Sequence, residues 1–172
     1  MRELRVRLVA AGRSRKPVLE RLVQLYLYDF SDLEGLDVGR DGLFPSRSMD
    51  RYREEPDRFP YLVYVNGQIA GFVLINSVTS YCQGPAARSV AEFFALRQYR
   101  RRGVGTRAAV SVFSRFPGTW EVGVLASNKA AQAFWRKVIG DYTHGNYQEP
   151  ALVADDVDRW GVVFCFNTAA SG

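Results

Sequence analysis

The chain has 172 residues, a formal net charge of +5 and a sequence pI of about 9.4, and 47% of its residues are apolar. This length and composition predict one folded domain over residues 1–172 and exclude a disordered chain. No apolar run approaches the roughly 18 residues that cross a bilayer, so we expect no membrane partner.

The first sixty residues predict a strand, a helix and a long loop. Residues 3–10 alternate between charged and apolar side chains, which is typical of a strand. Residues 15–29 place their apolar side chains along one side of a helix. Residues 31–60 are acidic and rich in glycine and proline, which predicts a long structured loop with a short helix near 48–54.

The rest of the chain predicts a hairpin followed by alternating strands and helices. Asn66 and Gly67 stand between two apolar runs, and both hairpin turn positions favour residues that tolerate a positive φ. The predicted elements are strands 61–65 and 68–78, a strand 90–96, a helix 103–116, a strand 120–125, a helix 128–138 capped by Ser127 or Asn128, and strands 141–149 and 159–167. This order predicts a single α/β domain with a mixed sheet.

The cysteines and the one histidine argue against a metal site. Cys82 and Cys165 have no metal-ligand spacing, so we expect no bound metal. Cys165 lies in an apolar strand, which predicts a buried, unreactive free thiol. Two unpaired cysteines favour a reducing, cytoplasmic compartment.

The positive charge is concentrated in one part of the chain. The range 89–115 holds six arginines and a single acid, whereas the range 29–57 holds nine acids and four arginines. A nucleic-acid-binding protein would usually spread its basic residues over one broad face, with aromatic residues between them. We therefore expect no nucleic-acid partner.

The arginine-rich range surrounds a short glycine turn with the pattern Arg100-x-x-Gly103-x-Gly105, between a predicted strand and a predicted helix. Glycines let the backbone approach a ligand closely. The first amides of a helix lack intrahelical partners and carry partial positive charge, so the turn predicts a site for an anion such as a pyrophosphate. Ala108 stands where a dinucleotide motif has its third glycine, and the lysine of a P-loop is missing.

This turn, with the strand and the Asn128-headed helix that follow it, resembles the acetyl-CoA signature Gln/Arg-x-x-Gly-x-Gly/Ala of the GNAT superfamily of N-acetyltransferases. The resemblance covers residues 90–140. It implies a GNAT-like fold: a mixed, largely antiparallel central sheet with helices on both faces and two splayed central parallel strands. The implied function is direct transfer of the acetyl group of acetyl-CoA, the co-substrate, to a primary amine in a ternary complex. The alternative is a non-catalytic acyl-CoA-binding regulatory module.

The resemblance also implies where acetyl-CoA binds. Its pyrophosphate would lie on the amides of the glycine turn, its pantetheine arm would pair with the strand before the turn, and the helix after Asn128 would form the opposite wall. Arg100 or Arg107 would reach the 3′-phosphate, unless these arginines simply form a solvated surface. The implied cofactor-binding residues are Phe94, Ala95, Leu96, Arg100, Arg101, Arg102, Gly103, Val104, Gly105, Thr106, Asn128, Phe134 and Trp135.

The catalytic residues follow less directly from the sequence. Glu92 is the only acid in its strand and resembles the strand glutamate of the family, so it is the candidate base. Alternatively, Glu92 faces solvent or pairs with an arginine. Water could also remove the amine proton without a catalytic side chain. Trp135 stands where many members have a tyrosine that protonates the thiolate, and an indole N–H is not a practical acid. Tyr142 and His144, on the predicted strand 141–149, are the remaining side-chain candidates for proton return, and solvent is the alternative.

The resemblance implies that the acceptor binds beside the first helix, the loop after it and the late strands. Acids and tyrosines there suit a cationic amine, such as a polyamine, an aminoglycoside-like antibiotic or a basic peptide, although ordinary solvated loop acids would produce the same pattern. These residues are Tyr26, Tyr28, Asp29, Asp32, Glu34, Asp37 and Asp41. The sequence does not decide whether the chain forms a homodimer.

Overall fold

A seven-stranded sheet with helices on both faces forms the protein, which a computed structural model describes over residues 4–46, 49–156 and 159–168. The elements are β1 (Val6–Ala10), α1 (Lys16–Glu34), α2 (Arg51–Glu54), β2 (Arg58–Val65), β3 (Gln68–Asn76), β4 (Arg88–Ala95), α3 (Val104–Arg115), β5 (Gly118–Leu125), α4 (Lys129–Thr143), β6 (Tyr147–Gln148) and β7 (Trp160–Thr168). None of the helices in these ranges combines the length and the hydropathy needed to cross a bilayer.

The strands follow the order β1-β2-β3-β4-β5-β7-β6, and every neighbouring pair is antiparallel except β4 and β5. The hairpin between β2 and β3 is confirmed, because Asn66 and Gly67 both have positive φ, at 51° and 84°. The mixed, largely antiparallel sheet of the α/β prediction is therefore confirmed as well.

The two faces of the sheet bury separate apolar clusters. Helices α3 and α4 cover one face, where Phe113 and Ile139 are fully buried with Trp120 of β5. Helix α1 covers the other face, where Leu19 packs with Phe72 of β3. Apolar burial on both faces fixes the register of the central strands, since a shift by one residue would move each side chain to the opposite face.

The central parallel strands are paired only at their beginnings. Arg88 lies opposite Trp120 and Ser89 lies opposite Glu121, and beyond these pairs β4 and β5 diverge. A bulge in β4 adds to the divergence, because the register with β3 skips Ala91. The predicted splay of the central strands is confirmed.

The helices run further than the sequence pattern predicts. Helix α1 continues to Glu34 and ends at Gly35, which adopts φ 63°. Helix α4 continues to Thr143 and ends at His144 with φ 53°. The predicted strand at 141–149 is therefore wrong in its first part, because Tyr142 continues the buried face of α4 and packs its ring on Phe113.

The prediction of a free thiol at Cys165 is also wrong. Cys82 and Cys165 form a disulfide, with their Cα atoms 5.5 Å apart. Cys82 comes from the segment after β3, and the register of β5 with β7 places Cys165 opposite Glu121. The link removes the cysteine argument for a reducing compartment, because that argument assumed unpaired thiols.

Candidate active site

A cavity of about 520 Å³ occupies the gap where β4 and β5 separate. Residues 89–93 of β4 and 121–125 of β5 form its sides. Asn128 and Trp135 close it on the α4 side, and Tyr26 of α1 closes it on the other face of the sheet. The gap in the sheet therefore joins the two faces of the protein.

The glycine turn has the geometry of an anion site. Gly103 adopts φ 75°, a conformation that other residues rarely reach, and it begins α3. The Arg107 N–H donates to the carbonyl of Gly103 at 3.1 Å, so the amides of Val104, Gly105 and Thr106 lie ahead of the first helical hydrogen bond. These amides have no intrahelical acceptor and lie at the positive end of the helix dipole, where the sequence pattern predicts an anion site.

Gly105 also allows α3 and α4 to approach each other. A Cβ at this position would lie 3.2 Å from the ring of Phe134. Phe134 and Trp135 in turn pack against Phe93 of β4, with ring centroids 5.9 Å and 4.9 Å apart. The Phe-Trp pair therefore supports the glycine turn and the cavity wall together.

Arg100 is engaged within the protein. Its Nε donates to the carbonyl oxygen of Ala95 at 2.8 Å, and its guanidinium lies 5.7 Å from the centre of the Phe94 ring. It also pairs with Asp29 of α1, which Arg97 approaches at 2.9 Å. Arg100 therefore joins the end of β4 to α1, and these contacts leave it poorly placed to reach a phosphate.

The other arginines of the turn differ in their surroundings. Arg107 donates to the carbonyl of Leu4 and so holds the start of the chain against α3. Arg101 and Arg102 are exposed beside Gly103, and Arg101 adopts φ 56°. The side chains placed to add positive charge to the amide cradle are therefore Arg101 and Arg102.

Asn128 is the cap of α4, as predicted. Its Oδ1 accepts the Ala131 N–H at 3.0 Å. Its side chain also borders the cavity, as does that of Trp135, which is only 5% exposed. The start of α4 thus stays fixed beside the gap between the strands.

Glu92 is half-buried on the α1 side of the cavity. The Tyr26 hydroxyl donates a hydrogen bond to its Oε2. Burial, together with the neighbouring Glu92 carboxylate, raises the pKa of the Tyr26 phenol well above its usual range. Tyr26 therefore remains a hydrogen-bond donor to Glu92 throughout the physiological pH range.

Glu121 is a second carboxylate at the cavity, and the sequence reasoning missed it. Its side chain is nearly buried, and its Oε2 accepts three backbone N–H groups, from Ser80, Tyr81 and Cys82, at 2.8–3.0 Å. The available signal was the one that singled out Glu92: a lone acid within an apolar strand. Its partners could not be read from the sequence, because they lie about forty residues away.

Tyr142 lies away from the cavity. Its ring packs on Phe113, with centroids 5.5 Å apart, and its hydroxyl lies 3.3 Å from the Oγ of Ser114. Tyr142 is on α4, not on a strand, and it does not line the cavity. The structure therefore offers it no direct path to a reacting group there.

Most of the acids expected around the acceptor also lie elsewhere. Asp29 pairs with Arg97 and Arg100, and Glu34 accepts the hydroxyl of Ser127. Of the tyrosines and acids expected around the acceptor, only Tyr26 lines the cavity. The carboxylates at the gap are instead those of the two central strands.

Comparison with known proteins gives the same family that the glycine turn resembles. A family model described as the acetyltransferase (GNAT) family matches residues 20–140. No curated protein matches this chain.

Solved structures share its fold. An acetyltransferase from Thermus thermophilus is 15% identical and has a TM-score of 0.67, with 97% of this chain and 99% of that one covered. An aminoglycoside acetyltransferase solved with coenzyme A is 13% identical and has a TM-score of 0.63, with 95% of each chain covered. The ribosomal-protein-S18-alanine N-acetyltransferase from Escherichia coli is 13% identical and has a TM-score of 0.57, with 98% of this chain and 97% of that one covered.

Proposed function

Since the chain belongs to the acetyltransferase (GNAT) family, we propose that it transfers the acetyl group of acetyl-CoA directly to a primary amine. The observation that carries this proposal is the divergence of β4 and β5 after Ser89 and Glu121, together with a glycine turn at the start of α3. A gap that joins both faces of the sheet allows the thioester and the amine to meet without a covalent enzyme intermediate.

The amide cradle at Gly103, Val104 and Gly105 suits the pyrophosphate of acetyl-CoA. The pantetheine arm would pair with the end of β4 like an added strand, because β5 does not bond to β4 there. Arg100 already holds the carbonyl of Ala95, so we assign this pairing to the other backbone groups of 93–96.

Acetyl transfer needs a neutral amine, and Glu92 is the base that we assign to this step. The amine nitrogen forms its bond to the acetyl carbon, the C–S bond breaks, and the amine proton passes to the Glu92 carboxylate. Tyr26 orients that carboxylate through its hydrogen bond. A backbone N–H of β4 polarises the thioester carbonyl.

The departing thiolate must take up a proton. Trp135 occupies the wall where many family members have a tyrosine, and its indole N–H does not serve as an acid. Tyr142 lies outside the cavity, so we assign the thiolate proton to solvent that enters through the open gap.

We propose a cationic amine as the acceptor. The Escherichia coli neighbour is named for the alanine of a ribosomal protein, and another neighbour is named for aminoglycosides, both of which offer amines. Glu92 and Glu121 give the cavity two carboxylates, which favour a cation over an anion. A polyamine, an aminoglycoside-like compound or a basic peptide fits this description.

The test is incubation with acetyl-CoA and a panel of amines, with thiol release and the masses of the products as readouts. We expect acetyl-CoA to stabilise the protein against heat and at least one cationic amine to gain an acetyl group. The Gly103→Glu variant is the matched control, since its added carboxylate would occupy the phosphate cradle.

Two results would contradict the proposal. Absence of acetyl-CoA binding would exclude both catalysis and a binding role. Binding without thiol release from any amine would instead indicate a non-catalytic acyl-CoA-binding module.

A further inference from the structure

Glu121 lies on the same side of the sheet as Glu92, across the gap between the strands. Its neighbours Trp120 and Val122 belong to the core beneath α3 and α4. Because side chains alternate along a strand, Glu121 points to the opposite face. That is the face on which Glu92 meets Tyr26 of α1.

The charge of Glu121 is held by backbone alone. A buried carboxylate is costly unless hydrogen bonds or an opposite charge compensate it. The partners that the described residues provide are backbone N–H groups, and no described basic side chain forms an ion pair with it. Arg159 also lines the cavity, but it is exposed and stacks over the ring of Trp160 at 4.7 Å.

The two carboxylate oxygens of Glu121 are used unequally. Oε2 accepts three N–H groups at 2.8–3.0 Å, whereas Oε1 receives only the Ser80 N–H at 3.2 Å. A carboxylate oxygen can accept two hydrogen bonds, so Oε1 retains acceptor capacity. Glu121 is one of the residues that line the cavity.

We propose that Glu121 binds a second, permanently charged group of the acceptor, which makes the preferred acceptor a diamine or a larger polyamine. The inference rests on the proposed amine acetylation. The reacting nitrogen must lose its charge to attack, and Glu92 serves that nitrogen. A carboxylate whose oxygen accepts three backbone N–H groups instead matches a charge that persists throughout the reaction, and therefore a second ammonium group.

The simpler role, fastening the segment 80–82, can be separated from acceptor binding with Glu121→Gln. The amide oxygen of glutamine can accept the Tyr81 and Cys82 N–H groups at the position of Oε2. Its NH₂ group then replaces Oε1, so the charge and the 3.2 Å contact from the Ser80 N–H to Oε1 are lost, while the hydrogen bonds to the other oxygen remain. Asp141→Asn is the control, because it removes one exposed acid that pairs with Lys137.

The kinetic experiment compares putrescine with butylamine, which share a carbon chain and differ in the second ammonium group. We expect the wild type to prefer putrescine in kcat/KM by about tenfold or more, the range of a charge-assisted hydrogen bond. Glu121→Gln should remove this preference through the KM of putrescine. The KM of acetyl-CoA should not change, the butylamine rate should fall much less than the putrescine rate, and Asp141→Asn should behave as wild type.

Equal loss with both amines, or no loss with either, would overturn the inference. If the wild type binds coenzyme A but acetylates neither amine, the proposed function fails separately. Calorimetric titration of putrescine into the protein with coenzyme A then decides the role of Glu121. Weaker binding in Glu121→Gln than in the wild type supports it, and absence of binding to the wild type refutes it.

Discussion

The disulfide between Cys82 and Cys165 is expected to contribute a large part of the stability. It links residues 83 positions apart. In the chain-entropy model, closing a loop of that length destabilises the unfolded state by about 4.5 kcal/mol. For a domain of this size each kcal/mol changes the melting temperature by about 2–4 °C, so breaking the link should lower it by about 9–18 °C.

The assay is thermal unfolding followed by tryptophan fluorescence, with and without a thiol reductant. The oxidised protein should show no reactive thiols when it is unfolded, and reduction should lower the midpoint of unfolding. The double variant Cys82→Ala/Cys165→Ala is the control, because reductant should leave its midpoint unchanged. Two free thiols per chain after air oxidation, or equal midpoints in both forms, would refute the reasoning.

Three further predictions concern the site. Gly103→Glu should abolish coenzyme A binding in calorimetry. The fold should persist, because a Cβ at this position meets open space and the positive φ costs only about 1–2 kcal/mol. Retained affinity would exclude the phosphate cradle. Glu92→Gln should lower kcat and remove the acid limb of its pH profile, and an unchanged profile would exclude a base. The pKa of Tyr26 is raised in the folded protein, so above about pH 10 the unfolded chain ionises this phenol before the folded chain does. The free energy of unfolding should therefore fall as the pH rises above about 10, and it should fall less steeply in Tyr26→Phe. Equal dependence on pH in the two proteins, measured by alkaline denaturant titrations, would contradict this.

Local sequence patterns predicted the elements well where the decisive interactions are local. The hairpin at Asn66 and Gly67 depends on two residues that tolerate positive φ, and the start of α4 depends on the Asn128 side chain. The end of α4 was predicted wrongly because tertiary packing of Tyr142 on Phe113 continues the helix.

The candidate site could be outlined in part from the sequence. Adjacent residues are enough to mark the glycine turn as a candidate anion site and Glu92 as a candidate base. The hydrogen bond from Tyr26 to Glu92 could not be predicted, since Tyr26 lies 66 positions away. For Arg100 the sequence left two roles open, a contact to the 3′-phosphate or a solvated surface, and only the fold shows that Asp29 and the Ala95 carbonyl engage it.

Neighbouring residues and the period of apolar positions were enough to identify the family, the glycine turn and the order of the elements. Which charges lie together depends on the folded chain. It neutralises Asp29 with arginines, joins two distant cysteines, and brings Glu121 to the gap beside Glu92. The physical reason is that electrostatic and covalent contacts depend on distance in space, which strand order and register set and which spacing along the chain does not reveal.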